Sequence, residues 1–189
     1  MIGKTKQRSR LALIVQFFLL GFLFSSLLSR FPALKELYNM SAAQLSFVPF
    51  FMSVGSLFVM PFCVYLIGRY GSKKVSVMGY FPILILPILI LLPSMLLLYA
   101  GCVLFGATLG IADVAINANS LVVEKAYKRP IIGLFHAFFY VGMCVGALLS
   151  ILFLIGNVDI RMHIIIVSII LLVSYFFIRR FFLQETPSM

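Results

Sequence analysis

Four polar residues, Asp113, Asn117, Asn119 and His136, interrupt two otherwise apolar stretches of the chain. An ionisable side chain inside a bilayer costs about 2.5–3.5 kcal/mol even on the lenient insertion scale, so such residues are functional sites by default. Asp113 and Asn117 are four positions apart, which places a carboxylate and an amide on one face of a helix. A carboxylate in that position can bind a polar solute or a proton.

Each of these residues also has a structural interpretation. Asp113 can be a polar anchor that is hydrogen-bonded to a neighbouring helix, and His136 can be an interfacial or hydrogen-bonded histidine. The distances from the ends of the two apolar stretches predict that Asn117 and His136 lie at a similar depth, so that Asp113, Asn117 and His136 can form one cluster. We favour a functional role for Asp113 and leave both interpretations open for His136, as a proton relay or as a structural residue.

Gln16 lies in the first apolar stretch, 14 positions before Arg30. That separation puts the two residues within about 40° on a helical wheel. Both can line a cavity from the first span. For Arg30 we prefer a position at the outer interface, with the charged head reaching water.

The amino-acid composition indicates whether water or lipid surrounds this protein. The chain has 189 residues, of which 63% are hydrophobic and 11% charged, whereas a soluble domain has about 25% charged residues. The net charge of +10 is divided into short basic clusters between apolar stretches. That pattern is typical of membrane-protein loops and does not indicate a nucleic-acid partner. The sequence therefore predicts an integral membrane protein in the lipid bilayer, without a metal site or cofactor, since no ligand spacing or phosphate-binding glycine loop occurs.

The hydropathy pattern predicts an all-α fold, an integral membrane six-helix bundle at residues 11–182. A basic tail at 1–10 precedes it and a second tail at 183–189 follows it. Ser41 is a candidate N-cap, Gly142 and Gly146 have the spacing of a close helix contact, and Glu124 to Arg129 form a charged turn. We place the six spans at about 11–31, 45–67, 75–92, 96–121, 131–156 and 162–180.

Positive charge is distributed unequally between the two sides of this topology. With six spans, both termini and the 2–3 and 4–5 loops lie on one side, which has twelve Lys and Arg residues, while the other side has three. Cytoplasmic loops of membrane proteins have an excess of Lys and Arg. We therefore predict that both termini are cytoplasmic and that the protein is located in the cell (inner) membrane.

The loop between spans 2 and 3 contains the pattern Arg69-x-Gly71-x-Lys73. It resembles the 2–3 loop motif of the major facilitator superfamily, with Gly68 at the position where that family has an acidic residue. The resemblance implies that Arg69, Gly71 and Lys73 belong to a cytoplasmic gating loop.

A second and more specific resemblance covers residues 106–146. It is similar to spans 4 and 5 of the fucose-permease-like branch of the same superfamily. The residues that match are Gly110-Ile111-Ala112-Asp113-Val114-Ala115-Ile116-Asn117-Ala118-Asn119, then Val123-Glu124, Arg129-Pro130, His136, Gly142 and Gly146.

Members of this family normally have twelve spans in two similar halves, with the substrate bound between the halves. The resemblance implies that this chain is the N-terminal six-span half of a transporter for a small molecule. A fragment, a half that pairs with a second six-span half, and a homodimer all stay open.

The sequence thus predicts a secondary transporter, or half of one, that moves a small polar solute by alternating access, with or without proton coupling. The predicted pathway residues for substrate or protons are Asp113, Asn117, His136, Gln16 and Asn119. No arrangement of nucleophile and base occurs, so we predict that the protein is not an enzyme. The alternative is a truncated non-transporting membrane protein, or a scaffold that pairs with another chain.

Overall fold

The computed structural model describes residues 2–78, 94–179 and 181, and in these ranges the regular secondary structure is entirely α-helical. The helices, in chain order, are α1 (Ile2–Leu28), α2 (Phe31–Leu37), α3 (Ala42–Tyr70), α4 (Ser72–Met78), α5 (Met95–Tyr127), α6 (Ile132–Ile155) and α7 (Ile160–Ile178).

Five of the described helices are long and apolar enough to cross a membrane. They are Lys6–Leu28, Ala42–Tyr70, Met95–Tyr127, Ile132–Ile155 and Ile160–Phe177. The predicted all-helical membrane bundle is therefore confirmed. Most of the predicted third span lies outside the described residues, and α4 contains its first few positions. The exact limits of the membrane spans stay predictions.

Capping side chains explain where several helices begin. Ser41, the predicted N-cap, precedes α3: its hydroxyl accepts a hydrogen bond from the Gln44 N–H at 3.2 Å, and the Gln44 Oε1 accepts one from the Ser41 N–H at 2.8 Å. This reciprocal pair satisfies two backbone donors that the helix itself cannot. The Ser94 hydroxyl caps α5, and the Asp159 carboxylate accepts from the N–H of Arg161 at the start of α7.

The predicted charged turn after the fourth span is shorter than expected. Helix α5 continues to Tyr127, so Glu124 lies in its last turn and not in a loop. Glutamate and lysine are good helix formers, and nothing in this segment breaks the helix before Lys128. There the backbone is left-handed, with φ of 54°, and Pro130 follows.

Glycine contacts hold the bundle together as two helix pairs. In the pair α1–α6, a Cβ atom on Gly142 would lie 2.0 Å from the carbonyl oxygen of Phe18, as expected for the close contact that the Gly142–Gly146 spacing predicts. In the pair α3–α5, a Cβ atom on Gly55 would lie 1.9 Å from the carbonyl oxygen of Val103. Small residues of this kind let two backbones approach closely inside a membrane.

The helices differ in how far the bundle covers them. About 56% of the α1 span is buried, against 11% for α3 and 17% for α6. Large apolar side chains fill the interior between α1, α5 and α6, among them Leu13, Phe17, Phe105, Ile116 and Phe135. Helix α1 is therefore central, and α3 and α6 present wide apolar faces to their surroundings.

Candidate functional site

Asp113 and Asn117 lie one turn apart on α5. The Asn117 Nδ2 donates to the backbone carbonyl of Asp113 at 2.9 Å and to its Oδ1 at 3.2 Å. The Asp113 side chain is exposed and Asn117 is half-buried. A carboxylate and an amide are thus presented together on a surface that the bundle does not cover.

His136, in the second turn of α6, is also exposed. Its ring packs edge-on against Phe17 of α1, with 5.2 Å between the ring centroids. The imidazole lies within electrostatic range of the Asp113 carboxylate. The structure therefore brings Asp113, Asn117 and His136 to one region, which we call the open polar cluster.

A groove of about 240 Å³ lies between α1, α2, α3 and α5. Leu109, which lines the groove from α5, is one helical turn before Asp113, a rise of about 6 Å along the helix axis. The other walls are mainly apolar, with two hydroxyls from α3. The groove is lined by Phe24, Leu27, Leu28, Phe31, Pro49, Met52, Ser53, Ser56 and Leu109.

Gln16 and Asn119 occupy a different environment. Gln16 is 3% exposed, and its Nε2 is 3.5 Å from the backbone carbonyl oxygen of Ser76 in α4. Asn119 is fully buried, and its Nδ2 donates to the Ser72 hydroxyl at 3.1 Å. Both side chains lie where α1, α4 and α5 meet, so they do not share the exposed surface of Asp113.

The predicted gating loop is a turn of a single residue. Gly71 separates α3 from α4 and has φ of 81° and ψ of 151°, a conformation that essentially only glycine adopts. Arg69 donates to the Tyr65 hydroxyl at 2.8 Å, and Lys73 is half-buried at the start of α4. The gating role of Arg69, Gly71 and Lys73 stays a prediction.

Glu124 connects the end of α5 to the start of α6. Its Oε2 accepts hydrogen bonds from the backbone N–H groups of Ile131 and Ile132, at 2.8 and 3.0 Å. A carboxylate at a helix N-terminus accepts hydrogen bonds from free N–H donors and interacts favourably with the helix dipole. This contact helps to fix the position of His136, which lies four residues after Ile132.

Arg30 is a correction to the sequence-based interpretation. We expected its charged head to reach water at the outer interface, but the residue is 3% exposed. Its Nε donates to the His163 Nδ1 at 2.8 Å, and its Nη2 donates to the backbone carbonyl of Val158. Burial lowers the pKa of the Arg30 guanidinium, and the charge of Asp159 partly offsets that effect.

His163 is a residue that the sequence analysis did not single out. It is fully buried, and its ring packs edge-on against Phe153 with 4.8 Å between centroids. Because its Nδ1 accepts the bond from Arg30, the ring proton is on Nε2. An ionisable residue within an apolar stretch was a signal that could have identified it. Arg30 and His163 together, which we call the buried pair, join the end of α1 to the start of α7.

Comparison with known proteins gives relatives that are named as transporters or as a membrane protein. The chain is 32% identical over 132 residues to an uncharacterised MFS-type transporter of Yersinia pestis. The matched residues are 69% of this chain and 34% of that protein. It is 33% identical over 132 residues to the uncharacterised transporter y4wD of Sinorhizobium fredii, covering 69% and 35%. It is 26% identical over 137 residues to the membrane protein MosC of Rhizobium meliloti, covering 71% and 33%.

These matches span about a third of each relative's length. No solved structure matches the chain. The family model for the Major Facilitator Superfamily matches residues 13–189, which is nearly the whole sequence. Together with the apolar helical bundle, this match shows that the chain is an integral membrane protein that belongs to the major facilitator superfamily.

Proposed function

We propose that this chain is the N-terminal six-span half of a transporter in the fucose-permease-like branch of the family, and that it helps to move a small polar solute by alternating access. The observation behind this proposal is the open polar cluster, which begins one helical turn along α5 from Leu109 in the wall of the groove. Asp113 is a membrane-depth carboxylate that the bundle leaves exposed, and such residues characteristically mark substrate or ion pathways.

The arrangement of the helix pairs supports a six-span unit. Transporters of this superfamily have two three-span repeats in each half, so that spans 1, 2 and 3 correspond to spans 4, 5 and 6. Under that relation the pair of spans 1 and 5 corresponds to the pair of spans 4 and 2. Those are α1–α6 and α5–α3, which among the described helices are the two pairs in which glycines lie against a neighbouring backbone.

We assign different roles to the pathway residues. Asp113 binds the solute or a proton, His136 exchanges a proton with it, and Asn117 orients the carboxylate through its hydrogen bond of 3.2 Å. The buried positions of Gln16 and Asn119 favour a supporting role, in which they hold α4 against α1 and α5 behind the pathway.

We further propose that the basic end of the bundle and both termini face the cytoplasm, in the inner membrane, and that the exposed faces of α3 and α6 contact a second six-span half or another copy of this chain. The distribution of Lys and Arg supports the orientation. The low burial of α3 and α6 supports the position of the partner half.

Solute flux in reconstituted vesicles tests the proposal. The chain is reconstituted into vesicles that contain a pH-sensitive dye, both alone and together with any second half found beside it in its source membrane. Pooled sugars, polyols and organic acids are then added outside. We expect at least one solute to produce uptake that Asp113→Asn abolishes. Glu36→Gln is the matched control, because it makes the same acid-to-amide change at an exposed site on α2.

Two outcomes would count against the proposal. Uptake that Asp113→Asn leaves unchanged would exclude the cluster as the pathway. Absence of flux in every combination of gradient, solute and partner would favour the alternative, a non-transporting membrane protein that pairs with another chain.

A further inference from the structure

One end of the bundle has many cations and hardly any carboxylates. Ten basic residues with described side chains lie there: Lys6, Arg8, Arg10, Arg69, Lys73, Lys74, Lys125, Lys128, Arg129 and Arg179. Among the described residues of this end, Glu124 is the one acidic residue, and its carboxylate already accepts two backbone N–H groups of α6. The positive charge of this end is therefore not neutralised by the described part of the protein.

The arginines of this end lie over aromatic rings. The densest group surrounds Tyr127: the guanidinium carbon of Arg10 lies 5.7 Å from the centre of that ring, and that of Arg129 lies 6.0 Å from it. Lys6 is next to them, and its Nζ donates to the carbonyl of Ala126 at 2.7 Å. We call these four residues, Lys6, Arg10, Tyr127 and Arg129, the Tyr127 site.

The Tyr127 site has unused hydrogen-bonding capacity. The Tyr127 hydroxyl is buried and has no hydrogen-bond partner among the described residues. A guanidinium over a ring contacts it through the π-face, which leaves the N–H edges able to bind an anion. Arginine N–H groups match the oxygens of a phosphate in a two-pronged geometry. The chemistry of the site therefore fits a phosphate group.

The position of the site points to a lipid as the source of that phosphate. The α1 span begins at Lys6, so Arg10 lies about one turn inside it, near the headgroup region. The next residue, Leu11, is 60% exposed and offers an apolar surface directly beside the charged group. A phospholipid likewise has an apolar chain next to its charged headgroup, whereas a soluble anion would leave Leu11 uncovered.

We propose that the Tyr127 site binds the headgroup of an acidic phospholipid, with the phosphate between Arg10 and Arg129 and an acyl chain along Leu11. The lipid joins the start of α1 to the connection between α5 and α6. This inference depends on the membrane location of the chain and not on its transport activity.

Native mass spectrometry of the full chain in detergent tests the proposal, with equimolar phosphatidylglycerol and phosphatidylcholine. We expect one phosphatidylglycerol to be retained in preference to phosphatidylcholine. Each basic residue near the headgroup contributes about fivefold to affinity, so Arg10→Gln/Arg129→Gln should lower the phosphatidylglycerol affinity roughly 25-fold. The double variant Arg69→Gln/Lys74→Gln removes the same charge from exposed positions at the same end and should change it much less.

Three results would overturn the proposal. Equal retention of the two lipids by the unmodified protein would exclude headgroup recognition, and this comparison does not depend on the folding of any variant. Equal losses in the two double variants would mean that the total charge, and not the Tyr127 site, attracts the lipid. Displacement of the lipid by glycerol phosphate at the same concentration would mean that the site binds soluble phosphate.

Discussion

The two histidines of this chain, His136 and His163, occupy opposite environments. His136 is exposed in the open polar cluster near Asp113, whereas His163 is fully buried and accepts a hydrogen bond of 2.8 Å from Arg30. In the buried pair the His163 Nδ1 and the Val158 carbonyl accept hydrogen bonds from the Arg30 guanidinium, and the His163 Nε2 is buried without a hydrogen-bond partner among the described residues. In the open polar cluster, the exposed carboxylate and imidazole can still form hydrogen bonds with a group outside the bundle.

From this difference we expect the two groups of residues to affect different properties of the protein. Removing one member of a buried, hydrogen-bonded group leaves its partner unsatisfied, which is costly. An exposed polar residue adds little to the free energy of unfolding, and substitutions there usually change it by no more than about 0.5 kcal/mol. The buried pair should therefore matter for folding, and the open polar cluster for what the protein binds or transports.

The largest expected effect is on the buried pair. His163→Ala removes the acceptor of the Arg30 Nε–H and leaves a buried guanidinium without that partner, so we expect the free energy of unfolding to fall by about 3 kcal/mol. Unfolding in mixed micelles by titration with a denaturing detergent measures this change. His136→Ala is the matched control and should change it by about 0.5–1.5 kcal/mol, because it removes only the edge-on contact with Phe17. Equal losses in the two variants would remove the distinction between the two histidines.

A smaller effect is expected where α6 packs on α1. In Gly142→Ala the new Cβ would lie 2.0 Å from the Phe18 carbonyl oxygen, so the two helices must separate, at a cost of about 1–3 kcal/mol. Gly133→Ala on the same helix is the control, because nothing lies within 4 Å of its added Cβ. The same unfolding titration measures both. A Gly142→Ala protein as stable as the control would mean that this close contact does not hold α6, and with it His136, in place.

Local features of the fold were predictable from the sequence. The Ser41 cap depends on residues three positions apart, and the pairing of Asp113 with Asn117 follows from one helical turn. The Gly142–Gly146 contact was also predictable, because its spacing puts two small residues on one helix face. In each case the signal lies within one or two turns of helix.

The buried pair and the surroundings of Gln16 depend on which helices are neighbours, and neither was predictable. Arg30 and His163 are 133 positions apart, and no local pattern connects them. The helical wheel treated Gln16 and Arg30 as parts of one helix, whereas α1 ends before Arg30, and it could not show that α4 covers Gln16. The length of α5 was underestimated because the charges at Glu124 and Lys125 were interpreted as the end of a helix, although both residues are compatible with one.

Cysteine labelling can measure whether water reaches the open polar cluster. Cys63, Cys102 and Cys144 are first replaced by serine, and Asn117→Cys is compared with Ile169→Cys, a 54% exposed position on α7. The proposal that the cluster lines an aqueous pathway predicts that a charged, membrane-impermeant thiol reagent labels position 117 in native membranes. Position 169, on a surface that we propose to face lipid, should stay unlabelled. Absence of labelling at position 117 from both sides of the membrane, with position 169 equally unreactive, would contradict the account.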